Sequence, residues 1–111
     1  MVEFSNVTEV TTQRAFNTVY QNLTGRPIMV IVNASYQTIT AGDGADANAV
    51  IGPTDSPTFD EVDIGLPSDS LIPNGIFLPL VFIVPAGYYY KVIANIAGSG
   101  QINITHWIEI L

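Results

Sequence analysis

Hydrophobic positions fall at every second residue over much of this chain. Residues 14–22 alternate, with Phe16, Thr18, Tyr20 and Asn22 on one side and Ala15, Asn17, Val19 and Gln21 on the other. Residues 28–36 begin apolar on both sides and end alternating. The run 76–84 is almost wholly apolar, and Tyr88, Tyr90 and Val92 then alternate with Tyr89, Lys91 and Ile93. In the last stretch Ile102, Ile104, His106, Ile108 and Ile110 share one side, and Asn103, Thr105, Trp107 and Glu109 the other. A period of two marks strands whose successive side chains point to opposite faces. No stretch sustains the 3.6-residue apolar period of a helix. The pattern predicts an all-β protein, an antiparallel β-sandwich or jelly-roll-like fold of about six to eight strands.

Turn chemistry separates these stretches. Asn22-Leu23-Thr24-Gly25-Arg26-Pro27 offers an Asn for side-chain bonding to backbone and a Gly for positive φ. Pro85-Ala86-Gly87 offers a preset φ followed by the same freedom. The expectation is one hairpin over 14–36 and a second, mid-sheet, around Pro85. Residues 1–13 read as an extended, β-leaning arm. Residues 14–111 read as a single domain carrying a loop-rich acidic insertion at 40–75. Five prolines lie between Pro53 and Pro79, and seven of the ten acids lie between Asp43 and Asp69. A long loop in a compact domain usually serves function or contacts a neighbour.

Composition narrows the partners. Charged residues make up 12% of the chain, about half the usual share, so part of the surface is expected to be neutral polar or covered by a partner. Ten acids oppose Arg14, Arg26 and Lys91, for a net charge of −7. Three cations supply no basic track for phosphates, so no nucleic-acid partner is expected. No membrane insertion is expected either, because the apolar run 76–86 is about half of a bilayer-spanning helix. The first residues lack the basic and apolar regions of a signal peptide. With no cysteine, disulfides and thiol chemistry are excluded.

Candidate chemistry is sparse. His106 alternates with four isoleucines, which favours a core or interface position over catalysis. No nucleophile motif accompanies it, and no catalytic residue is assigned. The acids of 43–69 could bind Ca²⁺ through carboxylate oxygens, but they lack the EF-hand spacing. A solvated acidic loop is the default; no metal and no cofactor is assigned. Tyr89 falls on the face opposite Tyr88 and Tyr90 and could stack on a sugar ring. If a glycan is bound, Tyr36, Tyr89, Asp43 and Asp46 are the residues expected to contact it. Trp107 could be core or interface.

Three pieces carry a resemblance. Residues 15–30 read Ala-Phe-Asn-Thr-Val-Tyr-Gln-Asn-Leu-Thr-Gly-Arg-Pro-Ile-Met-Val, residues 82–92 read Phe-Ile-Val-Pro-Ala-Gly-Tyr-Tyr-Tyr-Lys-Val, and the closing strand carries Trp107-Ile108-Glu109. In order and spacing these resemble the N-T-x-Y-x-N-x-T-G-[RK]-P-I, V-P-[PA]-G-x-x-Y-x-V and W-x-E elements of a C-terminal domain of bacteriophage tail-fibre and related virion proteins. The match covers about half the chain; 37–75 matches nothing in that pattern. The resemblance implies a non-enzymatic β-sandwich at a virion's distal end, a homo-oligomer (a trimer favoured), serving host attachment or receptor binding. Without a fibre shaft, the alternatives are a capsid decoration or stabilising protein and a stand-alone carbohydrate-binding module. It also implies a virion location, synthesis in the host cytoplasm, and other virion proteins as partners. In the motif, Gly25, Pro27, Pro85 and Gly87 look like turn formers, and Tyr20, Tyr90 and Trp107 like packing anchors.

Overall fold

The computed structural model describes residues 6–38, 44–65 and 72–111. Among these described residues eight strands occur: β1 (Val7–Glu9), β2 (Tyr20–Gln21), β3 (Ile28–Thr38), β4 (Gly44–Gly52), β5 (Phe59–Gly65), β6 (Ile72–Val84), β7 (Tyr89–Ala97) and β8 (Gln101–Ile110). They form two four-stranded sheets, ordered β1-β8-β3-β6 and β2-β7-β4-β5. Every pairing is antiparallel. The expected all-β sandwich is the fold observed. The pairings are nested: β1 with β8, β2 with β7, β3 with β6 and β4 with β5. That nesting is the winding of a jelly roll, a long folded ribbon rolled into two facing sheets.

Alternation builds the core. On β3 every second residue is buried: Ile28, Val30, Val32, Ala34 and Tyr36. Leu80, Phe82 and Val84 of β6 face them within the same sheet, and Ala45, Ala47, Ala49, Tyr90 and Val92 close the core from the other sheet. Large side chains of the first sheet thus meet alanines of β4, which lets the two layers approach.

Three expectations are corrected. Residues 14–22 do not pair with 28–36. Asn17 takes φ +60°, which interrupts the strand, and only Tyr20–Gln21 remains, paired with β7 in the opposite sheet. Asn tolerates this left-handed conformation better than most residues. Its side chain also accepts a bond from the Ala94 N–H, and its own N–H donates to the Val92 carbonyl. The strands flanking Pro85 are likewise no hairpin: β6 and β7 lie in different sheets, and Pro-Ala-Gly is a corner between layers. Finally, 40–75 is not mainly loop. β4 and β5 occupy much of it and pair with each other. The alternation of Ala45, Ala47 and Ala49 with Asp46 and Asn48 is a strand signal muted by small side chains. In the expected arm, β1 pairs along the edge strand position beside β8, and Thr11–Gln13 form a short 3-10 helix.

A bulge reassigns β8. Its register with β3 shifts between Asn33 and Ala34, leaving Thr105 as the extra residue. Two β8 residues then oppose one step of β3, and the side chains beyond it change face. Ile102 and Trp107, of opposite parity, are consequently both buried. His106 is turned outward and exposed, which removes the core half of the core or interface placement expected from its isoleucine neighbours. Its Nδ1 bonds Glu9 Oε1 of β1.

Candidate functional site

Two polar joints hold the layers together. The first surrounds Asn22, 2% exposed, at the end of β2. Its Nδ2 donates to the carbonyls of Arg26 (2.8 Å), Val84 (3.0 Å) and Pro85 (3.2 Å). Its Oδ1 accepts from the Thr24 N–H (3.1 Å) and hydroxyl (2.6 Å). On the backbone, Asn22 N–H donates to Tyr88 O and Gly87 N–H donates to Asn22 O, both at 2.9 Å. One side chain therefore fastens the 22–27 turn to the corner at Pro85. Gly25 and Gly87 both sit at φ +79°, where a side chain would be strained. Pro27 and Pro85 flank the joint, both half-buried.

The second joint surrounds Glu109. The bulge brings it onto the core side of β8, opposite Val30. Its carboxylate accepts from Arg14 Nε and Nη2, each at 3.1 Å, from the Tyr90 hydroxyl at 2.6 Å and from Trp107 Nε1 at 3.2 Å. The two-pronged Arg14 contact matches the planar guanidinium to the planar carboxylate. Arg14 also lies over the Tyr20 ring, 4.6 Å from its centroid. Tyr20 packs against Tyr90 and, edge-on, against Trp107, with ring centroids 5.8 and 6.0 Å apart. Burial lowers the Arg14 pKa, but the hydrogen bond to Glu109, together with the charges and hydrogen bonding of Glu109 and Tyr90, turns the net shift upward. Burial first, and then the bond to Glu109, hold the Tyr90 hydroxyl well above its ordinary value.

The expected turn formers thus meet at one joint, and the three expected anchors at the other. Asn22, Arg14 and Glu109, which hold these groups together, were not among the predicted site residues. The available signals were parity and isolation. Asn22 shares the side of Phe16 and Tyr20, and Glu109 that of Trp107, as the sole acid after Asp69.

The expected glycan residues do not converge. Tyr36 is fully buried within the core, which removes it from any exposed ligand surface. Among the described residues its hydroxyl has no hydrogen-bond partner, and burial, with Asp46 adding to it, pushes its pKa up to about 12. Asp46 and Tyr89 both lie on the outer face of β2-β7-β4-β5, but at opposite ends: Asp46 pairs with Asn95, and Tyr89 with Gly52. Asp43 lies outside the described residues. That outer face is acidic. Asp46, Asp60, Glu61 and Asp63 are exposed on β4 and β5, and Asn48 donates to Asp60 at 2.8 Å. No group of three or more His, Cys, Asp or Glu able to hold a metal occurs among the described residues. No described helix is long and apolar enough to cross a membrane. No family model and no curated protein matches the sequence.

Proposed function

We propose that this chain is a non-enzymatic structural protein of a bacteriophage virion, a self-associating module of the tail tip or fibre type that serves host attachment. The observation that carries the reading is where the resemblance-bearing residues fall. Asn22, Gly25, Pro27, Pro85 and Gly87 build one joint between layers, and Tyr20, Tyr90, Trp107 and Glu109 the other. The residues that carry the resemblance are those that bond and pack the two layers together. A rigid body that presents variable surfaces suits recognition. The jelly-roll winding adds support by analogy alone, since it recurs in viral capsid and lectin domains.

If the receptor is a glycan, Tyr89 is the aromatic that remains available, half-buried on the outer face with Gln21 and Lys91 nearby. Mass spectrometry and immunogold labelling of purified particles test the virion assignment. Protein at the tail tip is the expected result; protein on the head favours capsid decoration; absence from particles overturns both. A glycan array with the native protein and Tyr89→Ala tests receptor binding.

A further inference from the structure

The outer face of β1-β8-β3-β6 differs from that of the other sheet. Register places its side chains in rows across the strands. Val7, Ile110, Met29 and Ile83 form one row. Ile108, Ile31 and Val81 form the next, with Glu9 at its β1 edge. Beyond them come His106, Asn33 and Pro79, and then Asn103, Ser35 and Phe77. Val7 is 71% exposed, Phe77 73%, Val81 48% and Ile83 39%. The usual alternation of buried apolar and outward polar residues therefore fails on this face, where apolar residues point both ways. Among its described residues, ionisable side chains are confined to Glu9 and His106, which bond each other.

We propose that this face is where copies of the chain meet, a second copy covering all four rows from Val7 to Phe77. Three arguments select that occupant. Two apolar rows at one end of the face, bordered along the strands by Asn33, Asn103 and Ser35 and with charge confined to the Glu9–His106 pair, combine apolar and neutral polar surface as the core of a protein–protein interface does. β3 is 11 residues long. At about 3.3 Å per residue, and with three full strands and part of a fourth about 4.8 Å apart, the flat projection is on the order of 500 Å². Standing side chains raise the accessible area toward the roughly 800 Å² per partner that a stable pair needs. Charge decides the remaining choice. The chain carries −7, and the exposed acids Asp46, Asp60, Glu61 and Asp63 lie on the opposite layer with Lys91 as their cation. Copies joined through the uncharged face keep these acidic layers outermost and apart; joining through the acidic layer sets like charges together.

The proposal rests on the self-association in the functional reading and names its surface. The test is light scattering after size exclusion, across the micromolar range, on the native chain, Val81→Lys/Ile83→Lys and Ile93→Lys. Ile93 lies on the acidic layer. The native chain and Ile93→Lys are expected at a multiple of 11.9 kDa, and Val81→Lys/Ile83→Lys at 11.9 kDa with an unchanged β spectrum. A native chain at 11.9 kDa throughout overturns self-association itself. An assembled native chain whose mass the double variant leaves unaltered overturns this face alone. If the double variant loses its β spectrum, Val7→Lys on the exposed β1 edge carries the same test, and an assembly it leaves intact counts against the face.

Discussion

Replacing Asn22 by Ala should be the most damaging single polar substitution in the molecule. The two amide hydrogens are shared among three carbonyls and the amide oxygen accepts two bonds, at a site 2% exposed. Arg26 O keeps a second donor, the Thr24 hydroxyl, and Pro85 O keeps the Tyr88 N–H. The Val84 carbonyl loses its amide donor in the buried part of the joint. A net bond contributes about 0.5–1.5 kcal/mol, and a buried group left unsatisfied costs about 1–3. Because some partners are retained, the total should be about 2–4 kcal/mol. Total stability for a domain is about 5–15 kcal/mol, so this is a large fraction. At about 4–8 °C per kcal/mol the midpoint should fall by roughly 10–25 °C. Two controls isolate the cause. Thr24→Val removes only the exposed hydroxyl and should cost under about 1 kcal/mol. Asn22→Asp keeps size and acceptors but faces three carbonyls with a carboxylate, so it should cost at least as much as Ala. Urea unfolding with a constant m-value is the assay. An Asn22→Ala loss below about 0.5 kcal/mol would refute the idea that this amide joins the layers.

Other predictions concern the second joint and the titratable groups. Glu109→Gln should destabilise by about 2–3 kcal/mol, because Arg14 and Tyr90 lose a charged acceptor in a partly buried site, and Arg14→Ala in the Gln background should then cost little more; additive losses in a double-mutant cycle would sink this coupling. Tyr36 and Tyr90 should stay neutral above the ordinary tyrosine range. Their raised folded pKa favours the neutral form, so this contribution is intact below the unfolded value of about 10 and is lost as pH rises through the folded values. Tyrosinate absorbance should therefore show a late phase coincident with unfolding, and ionisation of Tyr36 and Tyr90 in the folded protein near the ordinary value contradicts the burial. At the β1 edge, the bond from His106 holds the Glu9 carboxyl below its ordinary value. The contribution of Glu9 is present above the ordinary carboxylate range and fades as pH falls through its lowered pKa. Amide exchange in Val7–Glu9 should accelerate on that acidic limb relative to β3, and Glu9→Gln should abolish the acid dependence; equal pH profiles in both proteins would refute the contact.

Much of the fold was legible because period-two alternation reports directly on sheets. Ile28 to Tyr36 and Tyr90 to Val92 announced both strand type and inward face. What alternation cannot encode is an inserted residue. Nothing in Ile104-Thr105-His106 signals a bulge, yet it exchanges the roles of His106 and Trp107. Nor does a local pattern say which sheet a strand joins: Pro-Ala-Gly fits a hairpin as well as a corner. β4 and β5 were hidden by alanine, glycine and acid, whose strand preference is weak. The joints were half visible. Gly25, Pro27, Pro85 and Gly87 could be named from turn chemistry, but their meeting at Asn22 depends on contacts 62 and 63 positions apart.

The nested pairing also sets a timetable. β4 and β5 are joined by a short turn, whereas Val7 must find Ile110, roughly 100 residues onward. Loop closure costs rise with the logarithm of span, so the outermost pairing begins about 2.5 kcal/mol behind the innermost. The ribbon is thus expected to zip from its middle outward, at the slow pace of β proteins rich in distant contacts. Until β8 arrives, one flank of β3 has no strand to bond, and a chain still growing on the ribosome carries that open flank at least until residue 110 has emerged.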